Sequence, residues 1–212
     1  MKSYIIQKII DTTFKNPTFS TFFRKKLQNN FISEKAVVMK YIVGNQGRVL
    51  DFGCGSGDFC SLINKNFYYG VDIDDRFIKY AKKVHKEYNF IKVIKDHNLP
   101  FSNNYFKKIL ALGVFHHISD EGVNNILKDF DRMLLPNGEI IIIDQLHHTG
   151  QENLLAKIMV KHDRGKFLRR NNHLRRVFNT NFNIKENYKI SCGPFTMCVF
   201  ILARKSIKKL HN

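Results

Sequence analysis

The stretch Val49-Leu50-Asp51-Phe52-Gly53-Cys54-Gly55-Ser56-Gly57-Asp58-Phe59 decides how this 212-residue chain folds. An apolar strand ends in an acid, and a Gly-x-Gly-x-Gly loop then opens a helix. Glycines at alternate positions let the backbone turn tightly and approach a ligand without side-chain interference. A dinucleotide site places its third glycine one position later, in G-x-G-x-x-G. Asp58 stands there instead, and an acid beside a pyrophosphate would be repelled. The loop therefore suits a ligand that brings no phosphate to that point.

Outward from the loop, short apolar runs alternate with segments of helical period, which implies a parallel sheet with covering helices. The runs are Arg48–Phe52, Tyr68–Ile73, Asn89–Lys95, Lys107–Gly113 and Glu139–Asp144. One helix lies between the second and third runs, with Phe77, Ala81, Val84 and Tyr88 on a stripe. Another lies between the fourth and fifth, with Val123, Leu127, Phe130 and Leu134 aligned. Ser119 is its N-cap, and Asp120 and Glu121 suit the positive end of its dipole. Pro136-Asn137-Gly138 reads as the turn into the next strand. Before the sheet, residues 1–47 read as two helical pieces separated by Asn16–Pro17, the second running from Ser20 to Val43. After Asp144 come helical pieces at Leu154–His162 and Asn172–Phe182, then two strand-like runs, Ile184–Ser191 and Phe195–Arg204, paired around Gly193-Pro194. Seven strands are expected.

Fifteen residues after Gly57 the second run ends in Gly70-Val71-Asp72-Ile73, whose carboxylate is placed to accept two hydrogen bonds from a ribose diol. The third ends in Asp96-His97-Asn98-Leu99-Pro100-Phe101, a second acid at the same edge. Carboxyl ends of neighbouring strands are where an open α/β sheet binds its ligand. With these pieces in place, the sequence resembles the class I S-adenosylmethionine-dependent methyltransferases. Within them it resembles the small-molecule type 11 group that includes quinone-biosynthesis enzymes. The matching pieces run in order from Val49 to Asp144: VLDFGCGSG, GVDIDD, KDHNLPF, ILALGVFHHI and MLLPNGEIIIID. The resemblance implies a Rossmann-like, seven-stranded, mostly parallel sheet with an antiparallel last strand and helices on both faces, to which the N-terminal helical pieces would add a lid. It also implies S-adenosylmethionine as methyl donor. Gly53, Gly55 and Gly57 would line its methionine part, with Asp51 near the amino group. Asp72 would hold the ribose, with Ile73 beside it. Asp96 would meet the adenine amino group, with a backbone contact from His97, and Leu112 and Gly113 would form the wall toward the sulfonium.

On the acceptor side, a general base is needed only if the acceptor must lose a proton. His116 is the candidate, because an imidazole titrates near neutrality. Phe115, Asp144, His147, Arg164 and Arg169 complete the expected substrate side. Arg169, His173 and Arg176 would share a helix face as an anion clamp. His147-His148 with Asp144 shows no third ligand, so no metal is expected.

The net charge of +17 is unevenly placed. Residues 1–50 carry nine Lys/Arg against two acids, residues 51–150 twelve against thirteen, and residues 151–212 fourteen against three. Basic flanks around a neutral middle attract anionic partners. The expected acceptor is therefore a small or lipid-linked anionic molecule. RNA is the alternative acceptor, and a catalytically silent S-adenosylmethionine-binding subunit is the third reading. The fourth run ends in Leu112-Gly113-Val114-Phe115 rather than in an Asn-Pro-Pro-Tyr cluster of the kind that grips an amino group on a base. The N-terminal stretch sets Ile6, Ile9 and Ile10 against Lys2, Lys8 and Lys15. It is expected to fold over the domain as a lid, with peripheral contact to an anionic membrane as the alternative. The four cysteines show no metal or disulfide spacing, which suits a cytoplasmic protein. No apolar run, Ile140–Ile143 included, approaches the roughly 20 residues a span needs. One domain is expected over 1–212, with a helical extension (1–47), a cofactor-binding half (48–144) and a substrate-side half (145–212).

Overall fold

The computed structural model describes residues 16–42, 44, 46–94, 97–146 and 167–205. The N-terminal amphipathic stretch, the helical piece at Leu154–His162 and the basic Asp163-Arg164-Gly165 lie outside those residues. The strands are β1 (Val49–Phe52), β2 (Tyr68–Asp72), β3 (Asn89–Lys92), β4 (Phe106–Leu112), β5 (Leu134–Gln145), β6 (Phe182–Cys192) and β7 (Phe195–Arg204). They form one seven-stranded sheet in the order β3-β2-β1-β4-β5-β7-β6. Only β7 runs against its neighbours, pairing antiparallel with both β5 and β6. The helices are α1 (Pro17–Leu27), α2 (Ile32–Ile42), α3 (Asp75–Val84), α4 (Asp120–Met133) and α5 (Asn171–Asn181).

Successive side chains of a strand point to opposite faces, so continuous apolar runs signal a sheet covered on both sides. The central strands divide in this way. Leu50, Ile109, Ile140, Ile142 and Phe200 face a core closed by Val123, Leu127 and Phe130 of α4 and Phe178 of α5. Their neighbours Val49, Leu110, Ile141, Ile143 and Val199 face the opposite core, closed by Val37 and Val38 of α2 and Ile78 and Ala81 of α3. Truncating a fully buried ring such as Phe200 should cost roughly 3–5 kcal/mol.

Four expectations are corrected. The helix expected from Ser20 to Val43 breaks at Asn29, Asn30 and Phe31, whose φ angles are 48°, 55° and 59°. Asparagine tolerates that region better than most residues. Gly193 fits against the break so closely that a Cβ there would stand 2.1 Å from the Leu27 carbonyl oxygen. The glycine loop leads into turns and a short 3₁₀ helix, Cys60–Leu62, rather than a full α-helix. In α3 the buried pair is Ile78 and Ala81, while Val84 is exposed and Tyr88 lies beyond the helix end. Asp74 caps α3 by accepting from the Arg76 amide, which sets the start of the helix and so the face it presents. Pro136-Asn137-Gly138 lies inside β5: the register jumps from Phe106↔Leu134 to Lys108↔Glu139, leaving a bulge opposite Lys107. Ser119 caps α4 as expected, its hydroxyl accepting from the Gly122 amide at 3.2 Å.

Candidate functional site

The strand order reverses between β1 and β4, the topological switch point at which open α/β sheets bind ligands. Phe52 pairs with Val71 on one side and Ala111 on the other, so the loops that follow these strands emerge together. Gly53 and Cys54 both donate to the Val71 carbonyl, at 2.8 and 3.0 Å. Gly53, Gly55 and Gly57 all have positive φ, at 71°, 52° and 78°. A Cβ on Gly53 would lie 2.6 Å from Val114, and one on Gly57 would lie 2.7 Å from the Phe90 ring; a Cβ on Gly55 would meet nothing within 4 Å. Two glycines thus serve packing, and the middle one presents bare backbone to open space.

Three carboxylates surround this loop, each in a different state. Asp72 accepts from the amides of Gly55 at 2.9 Å and Asp74 at 2.8 Å. Burial raises its carboxyl above the ordinary range, and those amides oppose the rise. Asp51 is 2% exposed and accepts one hydrogen bond, from the Tyr68 hydroxyl at 2.7 Å. Among the described residues no cation pairs with it. Burial pushes it up to about 7, with Asp72 and Asp58 adding to the rise and Tyr68 opposing it. Burial would raise Asp58 too, but Arg24 at 3.1 Å, the Ser56 hydroxyl and Lys25 at 2.9 Å outweigh it and hold the group below the ordinary range. Thr21 donates to Ser56 at 2.8 Å, so α1 docks onto the glycine loop through three side chains.

The loops after β4 and β5 form the other half of the rim. Gly113, at φ 68°, donates to the Ile143 carbonyl at 2.7 Å and turns the chain into a 3₁₀ helix, Phe115–His117. The fully buried Phe115 ring packs edge-on against Phe178 at 5.7 Å. His116 is 6% exposed, with Nδ1 2.5 Å from Asp144 Oδ1. Its Cε1 lies 3.9 Å from where a Gly113 Cβ would be, so this ring edge borders the wall formed by Leu112 and Gly113. Arg169 is 7% exposed and donates to Asp120 at 2.6 Å and to the carbonyls of Phe115, Ile118 and Phe167 at 2.7, 2.6 and 3.1 Å.

A family model described as a methyltransferase domain matches residues 50–142, which contain the glycine loop, Asp72 and the His116 turn. The family match and the fold are those of class I S-adenosylmethionine-dependent methyltransferases. The donor such enzymes use is S-adenosylmethionine, which one solved neighbour of this fold holds. The tRNA (carboxymethyluridine(34)-5-O)-methyltransferase of Arabidopsis thaliana is 27% identical over 110 residues, which are 51% of this chain and 26% of that protein. The chain spans about a quarter or less of the length of the tRNA methyltransferase relatives it matches. A SAM-dependent methyltransferase from Aquifex aeolicus superposes with a TM-score of 0.63 at 18% identity, covering 84% of this chain and 92% of that one. Geranyl diphosphate methyltransferase in complex with SAM gives 0.64 at 12% identity, covering 82% and 85%. At these identities the structural matches speak to the fold.

The rim of the methyltransferase domain suits this cofactor, a cation at its methionine end and an adenosine at the other. Among the described residues Asp51 is a buried acid without a cation, Gly55 faces open space, Asp72 stands at a strand end, and Ile73 beside it is 60% exposed. His97 is half-buried, and Asp96 lies outside the described residues. On the acceptor side, His147 and Arg164 also lie outside them. Phe115, expected to touch substrate, is instead a core residue with no exposed surface. Asp144 reaches His116 rather than the pocket. The expected Arg169–His173–Arg176 clamp does not form: α5 begins at Asn171, and Arg169 and His173 both turn to Asp120. Sequence reading missed the docking of Arg24 and Lys25. The signal was Asp58 itself, an acid in a tight loop that needs a cation from elsewhere in the chain.

Proposed function

We propose that the chain transfers a methyl group from S-adenosylmethionine to a protonated oxygen or nitrogen of a small or lipid-linked anionic acceptor. The hydrogen-bonded pair of His116 and Asp144 beside the Gly113 wall carries this reading. Bound there, the cofactor would supply an electrophilic methyl on a sulfonium. Asp51 would pair with its ammonium, Asp72 would accept from its ribose hydroxyls, with Ile73 beside the adenosine, and the backbone at Gly55 would admit its methionine part. With Nδ1 engaged by Asp144, His116 takes the acceptor proton at Nε2, and Asp144 stabilises the imidazolium that results. Residues 1–47 then cover the cofactor, 48–144 bind it, and 145–212 shape the acceptor side. The basic flanks favour an acid-bearing acceptor, and four unpaired, buried cysteines suit the cytoplasm. Among the described residues no helix is long and apolar enough to cross a membrane.

RNA methylation is the second reading, favoured by the tRNA methyltransferase relatives and by the charge of +17. The Arabidopsis enzyme's name specifies a carboxymethyluridine. A carboxylate is already ionised at neutral pH and needs no base, so the His116–Asp144 pair separates the two readings. Cell extract is incubated with methyl-tritiated donor and fractionated into RNA, lipid and low-mass pools. The expected label lies outside RNA, and His116→Gln lowers its formation by about 10²–10⁴-fold without changing cofactor affinity. Label confined to RNA and indifferent to His116→Gln overturns the proposal.

A further inference from the structure

We propose that Arg169 is a positioning residue, which locks the turn carrying His116 against Asp144. The inference rests on the reading of His116 as base, and it concerns a residue that makes no contact with the reacting groups. Three consecutive links join the chain segment 167–169 to that turn. The Phe167 amide donates to the His116 carbonyl at 3.0 Å. The Arg169 guanidinium donates to the carbonyls on either side, Phe115 at 2.7 Å and Ile118 at 2.6 Å. Its Nε is anchored on Asp120, whose second oxygen meets His173 of α5 at 3.0 Å. Burial alone would raise the Asp120 carboxyl, yet Arg169 and His173 together hold it below the ordinary range.

A short 3₁₀ turn has few bonds of its own to define the orientation of its side chains. Here the buried Phe115 ring anchors the turn in the core, Asp144 holds the His116 ring, and Arg169 holds the backbone. A planar guanidinium can serve two carbonyls and a carboxylate at once, which the single nitrogen of lysine cannot reproduce. Arg169 follows β5 in the chain and forms a bridge with Leu146, two residues after Asp144. The same clasp therefore ties both members of the His116–Asp144 pair to one frame. A catalytic group displaced by about 1 Å loses on the order of 10²-fold in rate.

The test compares Arg169→Gln, Arg169→Lys and Asp120→Asn in the full chain. Cofactor affinity is read by calorimetry, turnover by tritium transfer, and the His116 Nδ1 proton by its downfield resonance, assigned by its loss in Asp144→Asn. Arg169→Gln should broaden or remove that resonance and lower turnover by about 10²-fold while cofactor affinity stays within about twofold. Arg169→Lys should recover only part of each. Asp120→Asn, which removes one anchor and leaves the carbonyl bonds, should fold even if Arg169→Gln does not, and should show a smaller change of the same kind. An unaltered resonance and turnover in both Arg169→Gln and Asp120→Asn overturn the proposal. A lost resonance with turnover indifferent to both Arg169→Gln and His116→Gln instead overturns the base reading and leaves the positioning role intact.

Discussion

The two halves of the rim treat their carboxylates differently. Around the glycine loop, Asp51 has a tyrosine hydroxyl as its partner and Asp72 has backbone amides. Across the switch point, Asp144 is matched by His116, and Asp120 by Arg169 and His173. A buried acid lacking a cation is costly, and it persists where a cationic ligand will complete it. An acid matched within the chain holds geometry instead. The first half is thus built to receive charge and the second to stay rigid while chemistry proceeds.

The largest effect that tests this contrast concerns Asp51. Its folded carboxyl stands at about 7 against an ordinary 3.8, a gap worth roughly 4 kcal/mol. Because the folded value is raised, the native state binds more protons than the unfolded chain between those values. Stability of the ligand-free protein should therefore fall as pH rises from about 4 to 7. Pairing with a ligand ammonium lowers the carboxyl again, so cofactor binding near pH 6.5 should release a proton. Thermal unfolding from pH 5 to 7.5 and calorimetry in buffers of different ionisation enthalpy check both statements. Asp51→Asn should flatten the pH dependence and abolish the proton release. A wild-type profile identical to that of Asp51→Asn would show that no raised acid waits there.

A smaller effect is expected at Asp72. Asp72→Ala should weaken cofactor binding by roughly 1.5–3 kcal/mol, the range for hydrogen bonds to a charged group. Part of that loss comes through the loop, since the Gly55 amide also loses its acceptor. Asp72→Asn retains an acceptor for Gly55 and should recover the loop but not the full affinity. Equal losses in the two variants would assign Asp72 wholly to the ligand, and unchanged affinity in Asp72→Ala would remove the ribose assignment.

The same contrast governs which parts of the molecule are legible in the sequence. The cofactor half is legible because its parts are local: eleven consecutive residues hold the strand, the acid and the three glycines, and Asp72 closes a neighbouring apolar run. The sheet was legible for a similar reason, since runs such as Ile140–Ile143 have no polar face to offer water. The acceptor half is assembled from distant pieces. Asp144 is 28 positions from His116, and the Phe115 carbonyl is 54 positions from the arginine that binds it. An arginine in a basic stretch shows its charge but not its partner, so Arg169 looked like a clamp for a substrate anion. The break between α1 and α2 was hidden likewise, because left-handed asparagines and the glycine packed on Leu27 become visible only when the β6–β7 turn is in place.

Asp58 is the exception in the cofactor half, and it supplies the smallest and sharpest test. It lies on the glycine loop with a side chain 3% exposed, yet it is matched by Arg24 and Lys25, which are 45% and 40% exposed. If matched acids hold structure, then Asp58 fastens α1 and contributes nothing to cofactor charge. Arg24→Ala or Lys25→Ala alone should cost only about 0.2–1 kcal/mol of stability, because each pair is partly solvated and the other cation remains. The double variant leaves Asp58 with only the Ser56 hydroxyl, so its loss should exceed the sum of the two single losses. Added salt should narrow the gap between wild type and single variants. Cofactor affinity should stay nearly unchanged in all three. A double variant that loses affinity as Asp72→Ala does would place α1 among the groups that receive the ligand, and the division between waiting and matched acids would no longer describe this rim.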